Sequence, residues 1–231
     1  MGQGTHTSFV YWRMRVQLPG ACRFANGSHG RCTRAAPLSL SLVHDHAILM
    51  SSSNAPADTL RRALRTIPDF PEPGIQFQDI TPLLADPELL TQAAHALAQP
   101  FADASITHVV GVEARGFILG PLIAGQLGAG FVPVRKAGKL PHDTLTATYD
   151  LEYGSDTIEL HADTLGPTDR VLIHDDVLAT GGTAAATARL VAQTKAALAG
   201  YSFLIELTDL HGRNALPESP LAHAVLPVDD A

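Results

Sequence analysis

Residues 171–183 read VLIHDDVLATGGT, and the side chains in that run are suited to holding a phosphorylated sugar. An apolar strand at 171–173 delivers two adjacent carboxylates, Asp175 and Asp176, and a short Thr/Gly loop then opens a long helix from Ala184. Ligands of open α/β sheets bind at the carboxyl ends of strands, and a helix N-terminus offers unpaired N–H groups and a positive dipole end to an anion. From Ala179 onward, Gly181 and Gly182 let the backbone wrap closely, while the Thr180 and Thr183 hydroxyls add donors. Two carboxylates would repel a bare anion, so they suit hydroxyls or a metal ion beside it. A sugar phosphate satisfies both demands. A turn or helix-capping pair is the plain alternative for the two acids, and their place between an apolar strand and TGGT argues against it. Other phosphate motifs fail: the one Gly-Lys pair, Gly138-Lys139, is followed by Leu140 where a P-loop needs Ser or Thr, and no dinucleotide fingerprint is present.

Further stretches carry groups that complement a charged, planar substrate. Residues 111–116, GVEARG, end a strand in a tight turn bearing Arg115, a fixed cation beside backbone donors that can face a diphosphate. Arg135, Lys136 and Lys139 form the densest basic cluster of an acidic body, as a polyanionic substrate requires. Residues 137–154 join two strands with no helical period, and a connection of that length is commonly a lid or binding loop. Glu152 and Tyr153 stand at its C-terminal end. Phe77 follows a Pro-Gly turn between Gln76 and Gln78, an aromatic plate on which a heterocycle can stack, with Leu207 as the opposite apolar wall.

These groups need a scaffold, and the apolar pattern supplies one. Leu60, Ala63, Leu64 and Ile67 mark a helical face ending at Pro68, residues 69–74 are turn material, and 87–97 read as a second helix. Strand-length apolar runs follow at 107–112, 130–134, 170–174 and 202–207, separated by Ala/Leu-rich helical stretches at 116–127 and 184–199. Residues 156–161 alternate as an edge or lid-flanking strand would. The alternation predicts an α/β fold, a central mostly parallel sheet flanked by helices.

A hydrophobic strand, two acids and ATGGT resemble the phosphoribosyl-pyrophosphate signature of the type I phosphoribosyltransferases, with His174 where an aliphatic residue is usual. Four more stretches, FPEPGIQFQDITPLL (70–84), GVEARGFILG (111–120), VPVRKAGKLP with TYDLEYG (132–141, 148–154) and IELTDLHGR (205–213), are similar in order to the adenine-specific branch. The resemblance covers roughly residues 60–228. It implies a small hood and a mobile lid beside the sheet, and transfer of the phosphoribosyl group from phosphoribosyl pyrophosphate to adenine, giving AMP and pyrophosphate in purine salvage. It assigns Asp175 and Asp176 to the ribose hydroxyls, residues 179–183 to the 5′-phosphate, Arg115 to pyrophosphate, and Phe77 and Leu207 to the base. Base readout is implied for backbone groups around Gln76 and Gln78, where Gln78 replaces the usual Arg. Glu152 handles a proton on the imidazole ring of adenine and Tyr153 helps close the site. Magnesium, held mainly through substrate rather than directly by the protein, is the implied cofactor. A homodimer is implied too, with the 135–139 segment reaching the diphosphate of a neighbouring subunit. Hypoxanthine, guanine or xanthine are the alternative bases. A non-catalytic sensor of phosphoribosyl pyrophosphate would want a helix-turn-helix before the domain, a pattern absent from residues 1–58.

Composition sets the outer limits. The 231 residues are 45% hydrophobic and 17% charged with a net charge of −7, which excludes collagen, coiled coil and wholesale disorder. Residues 1–49 hold five Arg against one acid, Asp45, for a net of +4, leaving −11 on the remainder. Both cysteines (Cys22, Cys32) and the only Trp lie in that first stretch. Residues 1–58 thus read as a disordered or non-native leader, a targeting peptide being the alternative, and 59–231 as the phosphoribosyltransferase domain. The acidic body argues against a broad nucleic-acid surface, and no run reaches the ~18 apolar residues of a membrane span. A body without cysteine permits a reducing compartment, and the cytoplasm is the expected location.

Overall fold

Short apolar runs that bury both faces have one economical arrangement, a parallel sheet between helical layers. The computed structural model describes residues 55–150, 154–217 and 220–229, and has this arrangement. Its main sheet has seven strands in the order β5-β6-β4-β3-β7-β8-β9. The strands are β3 (His108–Val112), β4 (Gly130–Lys136), β5 (Thr144–Asp150), β6 (Ser155–His161), β7 (Arg170–Leu178), β8 (Ala197–Leu207) and β9 (Ala222–Val228). The pairs β4–β3, β3–β7, β7–β8 and β8–β9 run parallel, whereas β6 pairs antiparallel with both β4 and β5. A separate ribbon of β1 (Arg65–Pro68) and β2 (Gln76–Asp79) forms the hood.

Successive strand residues point to opposite faces, so each central strand feeds two cores. Val109, Leu172 and Leu204 pack in one cluster with Leu83 of α2 (Thr81–Ala85), Leu97 of α3 (Pro87–Ala98), and Leu119 and Ile123 of α4 (Gly116–Leu127). Val110, Val171, Ile173 and Phe203 pack with Leu190 and Val191 of α5 (Gly182–Gln193). Within β7, His174 is fully buried and lies 2.8 Å through Nδ1 from the carbonyl of Ser202. Burial pushes its pKa down to about 4, so the ring is neutral at pH 7 and Nδ1–H donates to that carbonyl. The atypical histidine is therefore a tie between β7 and β8.

Four expectations need correction. Helix α1 (Ala55–Ala63) starts inside the 1–58 stretch read as leader and stops before Ile67, which pairs with Phe77 in the ribbon. Spacing of 60, 63, 64 and 67 fits a helix, but Thr66 and Ile67 are β-branched and stand opposite a partner strand. The helical stretch at 184–199 is two elements, because α5 ends at Gln193, Lys195 takes φ 66°, and β8 begins at Ala197 beside β7. Sheet pairing there outweighs the helix propensity of Ala and Leu. Residues 137–154 are not one loop. They contain β5, whose alternation of Thr144, Thr146 and Thr148 with Leu145, Ala147 and Tyr149 is the period of a half-buried strand. Consequently β6 is internal and β5 is the edge. Two side chains of α5 fasten that edge: Arg189 donates to the Thr148 carbonyl at 2.7 Å and Gln193 to that of Thr146 at 3.2 Å.

Candidate active site

Strand β7 runs four residues beyond the expected apolar core, so Asp175 and Asp176 belong to the strand and Leu178 is its last member. The N–H of Asp176 donates to Oδ1 of Asp175 at 2.9 Å, and both residues line one cleft. Asp176 is only 3% exposed. Its Oδ2 lies 3.0 Å from Nε of Arg115, an ion pair lacking hydrogen-bond geometry, so that buried oxygen accepts from no donor among the described residues. Burial raises the pKa of Asp175 well above the usual carboxylate range and the charge of Asp176 adds to it; burial raises Asp176 too, against the opposing pull of Arg115.

After Leu178 the chain turns through residues 179–181, with Gly181 at φ 80°, and enters α5 at Gly182. The Ala185 N–H closes the first turn on the Gly181 carbonyl at 2.9 Å. The N–H groups of Gly182, Thr183 and Ala184 are thus left at the mouth of the helix, as first-turn donors are in general. Residues 179–184 line a hollow of about 70 Å³, a few water molecules in size. Beside it opens a cleft of about 450 Å³ bounded by Phe77, Arg115, Asp175, Asp176, Ala179 and Leu207, with Ile75 and Leu210 adding apolar wall. Arg115 sits over the Phe77 ring at 5.4 Å, and Phe70 meets that ring edge-on at 5.2 Å. The sequence marks neither Phe70 nor Leu210 as a site residue: the former reads as turn material, and the latter stands unassigned within the 205–213 stretch.

The hood orients its strand by simple alternation. Ile75 uses its carbonyl to accept from Phe70 N–H at 3.3 Å, on the β1 side. Along a strand the backbone groups alternate sides, so those of Gln76 and Gln78 face the opposite edge. The Gln78 side chain accepts through Oε1 from the Thr66 hydroxyl at 3.3 Å. That bond ties it to β1, and Gln76, Phe77 and Gln78 of β2 all border the cleft. A roomier groove of about 840 Å³ between α1, α3 and β9 has no carboxylate, lysine or arginine in its lining, so it lacks the acid pair and the fixed cation that the smaller cleft brings together.

Comparison with known proteins agrees with this geometry. Residues 79–225 match the family model of the phosphoribosyl transferase domain. The adenine phosphoribosyltransferase of Synechococcus sp. (strain JA-3-3Ab) is 56% identical over 173 residues, 74% of this chain and 98% of that protein. The chain belongs to the adenine phosphoribosyltransferase family. The crystal structure of the Rhodothermus marinus family member superposes with a TM-score of 0.73 at 59% identity, covering 76% of this chain and all of that one. The Saccharomyces cerevisiae enzyme, solved with an imino-altritol bisphosphate and adenine, gives 0.71 at 42% identity over 74% of this chain and 99% of that one.

Arg135, Lys136 and Lys139 do not line the cleft of their own chain, and each already has a carboxylate. Lys139 and Arg135 reach Glu113 at 2.8 and 3.3 Å, and Lys136 reaches Asp156 at 3.2 Å. The bond from Lys139, helped by the Lys136 N–H and by Arg135, holds Glu113 down at about 2. The Asp156 hydrogen bond raises Lys136 in turn. Sequence reading missed Glu113 and Asp156 because an acid beside a basic cluster is invisible as its partner until the strands align; Glu113 inside GVEARG was the available signal. Glu152 and Tyr153 lie outside the described residues.

Proposed function

We propose that the chain transfers the phosphoribosyl group of phosphoribosyl pyrophosphate to adenine, releasing AMP and pyrophosphate in purine salvage. The observation that carries this reading is the continuity of β7, the 179–181 turn and α5, which sets one buried and one half-buried acid beside a helix mouth, with an aromatic plate across the cleft. Asp175 and Asp176 take the ribose hydroxyls, and the donorless Oδ2 of Asp176 supports that use. Ala179, Thr180, Gly181, Gly182 and Thr183 take the 5′-phosphate, Arg115 the pyrophosphate, and Phe77 and Leu207 sandwich the base. Backbone groups of Gln76 and Gln78 read its amino edge. Because the Gln78 side chain is engaged with Thr66, the change from Arg leaves base choice unaltered.

The reaction breaks the bond from the anomeric carbon to pyrophosphate and forms one to the imidazole nitrogen of adenine, whose proton Glu152 accepts. Tyr153 helps close the site against water, which would otherwise intercept the cationic sugar. Orientation and fixed electrostatics supply most of the rate. Magnesium fits this site as an ion brought in with substrate, because it keeps waters and phosphate oxygens beside one or two carboxylates, and Asp175 and Asp176 stand at the cleft. When bound it neutralises charge on the leaving diphosphate.

A homodimer is part of the proposal. Ile118, Pro121, Leu122 and Gly125 form an exposed stripe on α4, at the i, i+3, i+4, i+7 spacing of a helix face that seeks a partner. The off-cleft position of Arg135, Lys136 and Lys139 supports their reaching the diphosphate in a second copy. Leu122→Asp is expected to convert a dimer to monomers in light scattering, and an unchanged dimer would remove α4 as the contact. No helix among the described residues is long and apolar enough to cross a membrane, and the cytoplasm is the proposed location. The deciding assay follows AMP formation from adenine, phosphoribosyl pyrophosphate and magnesium, against hypoxanthine and guanine. Turnover with adenine alone is expected. Turnover with another base would overturn backbone readout at β2, and tight phosphoribosyl pyrophosphate binding without turnover would favour a sensor.

A further inference from the structure

The turn that precedes α5 rests on another stretch of main chain with no side chain between them. A methyl group on Gly181 would strike the carbonyl oxygen of Gly212, and one on Gly212 would strike the carbonyl oxygen of Ala179. Residues 179–181 are therefore stacked on Gly212 backbone to backbone, and the height of Gly212 sets the height of the turn. Gly212 opens the single 3₁₀ turn Gly212–Ala215, entered through His211 at φ 52°. A turn that short has little cohesion of its own, so something else must hold it.

Arg213 is that holdfast. Its Nε and one terminal nitrogen donate to the two oxygens of Glu206, each at 2.6 Å, and its other terminal nitrogen donates to the Ala222 carbonyl at 2.6 Å. The planar fork thus ties the 3₁₀ turn to β8 and to the first residue of β9 in one rigid geometry. Glu206 is buried, and its register partner across the sheet is Leu178, the last strand residue before the turn. The anchor is level with the loop that it supports, one strand away. All three nitrogens of the guanidinium are occupied, so Arg213 acts on substrate through Gly212 rather than by touching it.

We propose that Arg213, locked by Glu206, is the positioning residue that holds the 179–181 turn and the mouth of α5 in phosphate-binding register. The proposal rests on the assignment of residues 179–183 to the 5′-phosphate. Its test is the pair Arg213→Gln and Glu206→Gln in the full chain, with KM measured separately for the two substrates and Kd measured for ribose 5-phosphate. KM for phosphoribosyl pyrophosphate and Kd for ribose 5-phosphate are expected to rise about tenfold together, while KM for adenine stays within twofold. The double variant should be no worse than either single one, since both break the same tie. Arg213→Lys, which keeps the charge but loses the fork, should fall between parent and Arg213→Gln, and serves in its place if the latter does not fold. A lower melting temperature with both substrate constants unchanged would overturn the proposal and leave the pair a purely structural clasp. Thr183→Val separates the two readings: if it too leaves ribose 5-phosphate binding unchanged, the phosphate assignment fails and the Arg213 proposal fails with it.

Discussion

Asp175→Asn is expected to lower kcat/KM for phosphoribosyl pyrophosphate by about 100-fold while raising the melting temperature at pH 7. The first effect follows from the proposed carboxylate–hydroxyl bond to ribose: a charge-assisted hydrogen bond contributes roughly 1.5–3 kcal/mol, and each ~1.4 kcal/mol is a tenfold change in rate. The second follows from the raised pKa of Asp175, caused first by burial and then by the neighbouring charge of Asp176. Between the unfolded value near 3.8 and its higher folded value, the folded state keeps a proton that the unfolded chain has released, so stability falls as pH rises through that window. Asparagine carries no charge to bury, and its oxygen can still accept from the Asp176 N–H. The variant should therefore melt higher than the parent at pH 7 and approach it near pH 4. Melting curves at several pH values, with steady-state kinetics at pH 7, check both. A variant that is less stable at pH 7 would mean that Asp175 is held by contacts that outweigh its desolvation.

How far the sequence disclosed this site depends on the range of the interactions involved. The acid pair and TGGT are contiguous, and local chemistry alone indicates strand, turn and helix mouth. The sheet was legible because β3, β4, β7 and β8 are apolar runs of the right length. The strand β5 was missed although its Thr alternation is regular, because a connection before a second strand invites reading as a loop. Only the register of Thr144 against His161 shows it to be half of a hairpin. The partners of Arg135, Lys136 and Lys139 were illegible for a different reason. Glu113 stands more than twenty residues from them and meets them only when β3 and β4 lie parallel. Arg213 shows both limits, since its neighbours in sequence give no hint that Glu206 and Ala222 converge on it.

Gly181→Ala carries an expectation of similar size reached by a different route, through backbone alone. Gly181 holds φ 80°, a region that costs an L-residue roughly 1–2 kcal/mol. That strain by itself would lower stability modestly. The larger consequence is steric, because the added methyl would overlap the Gly212 carbonyl, which is main chain fixed through the neighbouring Arg213 and cannot rotate away as a side chain would. The turn must lift, and it carries the N–H groups at the start of α5 with it. Misplacing a binding group by about 1 Å costs on the order of 100-fold in rate, so kcat/KM for phosphoribosyl pyrophosphate is expected to fall by that factor. Adenine binding, which depends on Phe77, Leu207 and the β2 backbone, should change little. Opening space on the other side offers a control: Ala215→Gly removes the second group that the new methyl would meet. If the carbonyl clash dominates, Gly181→Ala with Ala215→Gly should be no better than Gly181→Ala alone. Recovery of phosphoribosyl pyrophosphate binding in the double variant would instead assign the height of the turn to side-chain packing at Ala215.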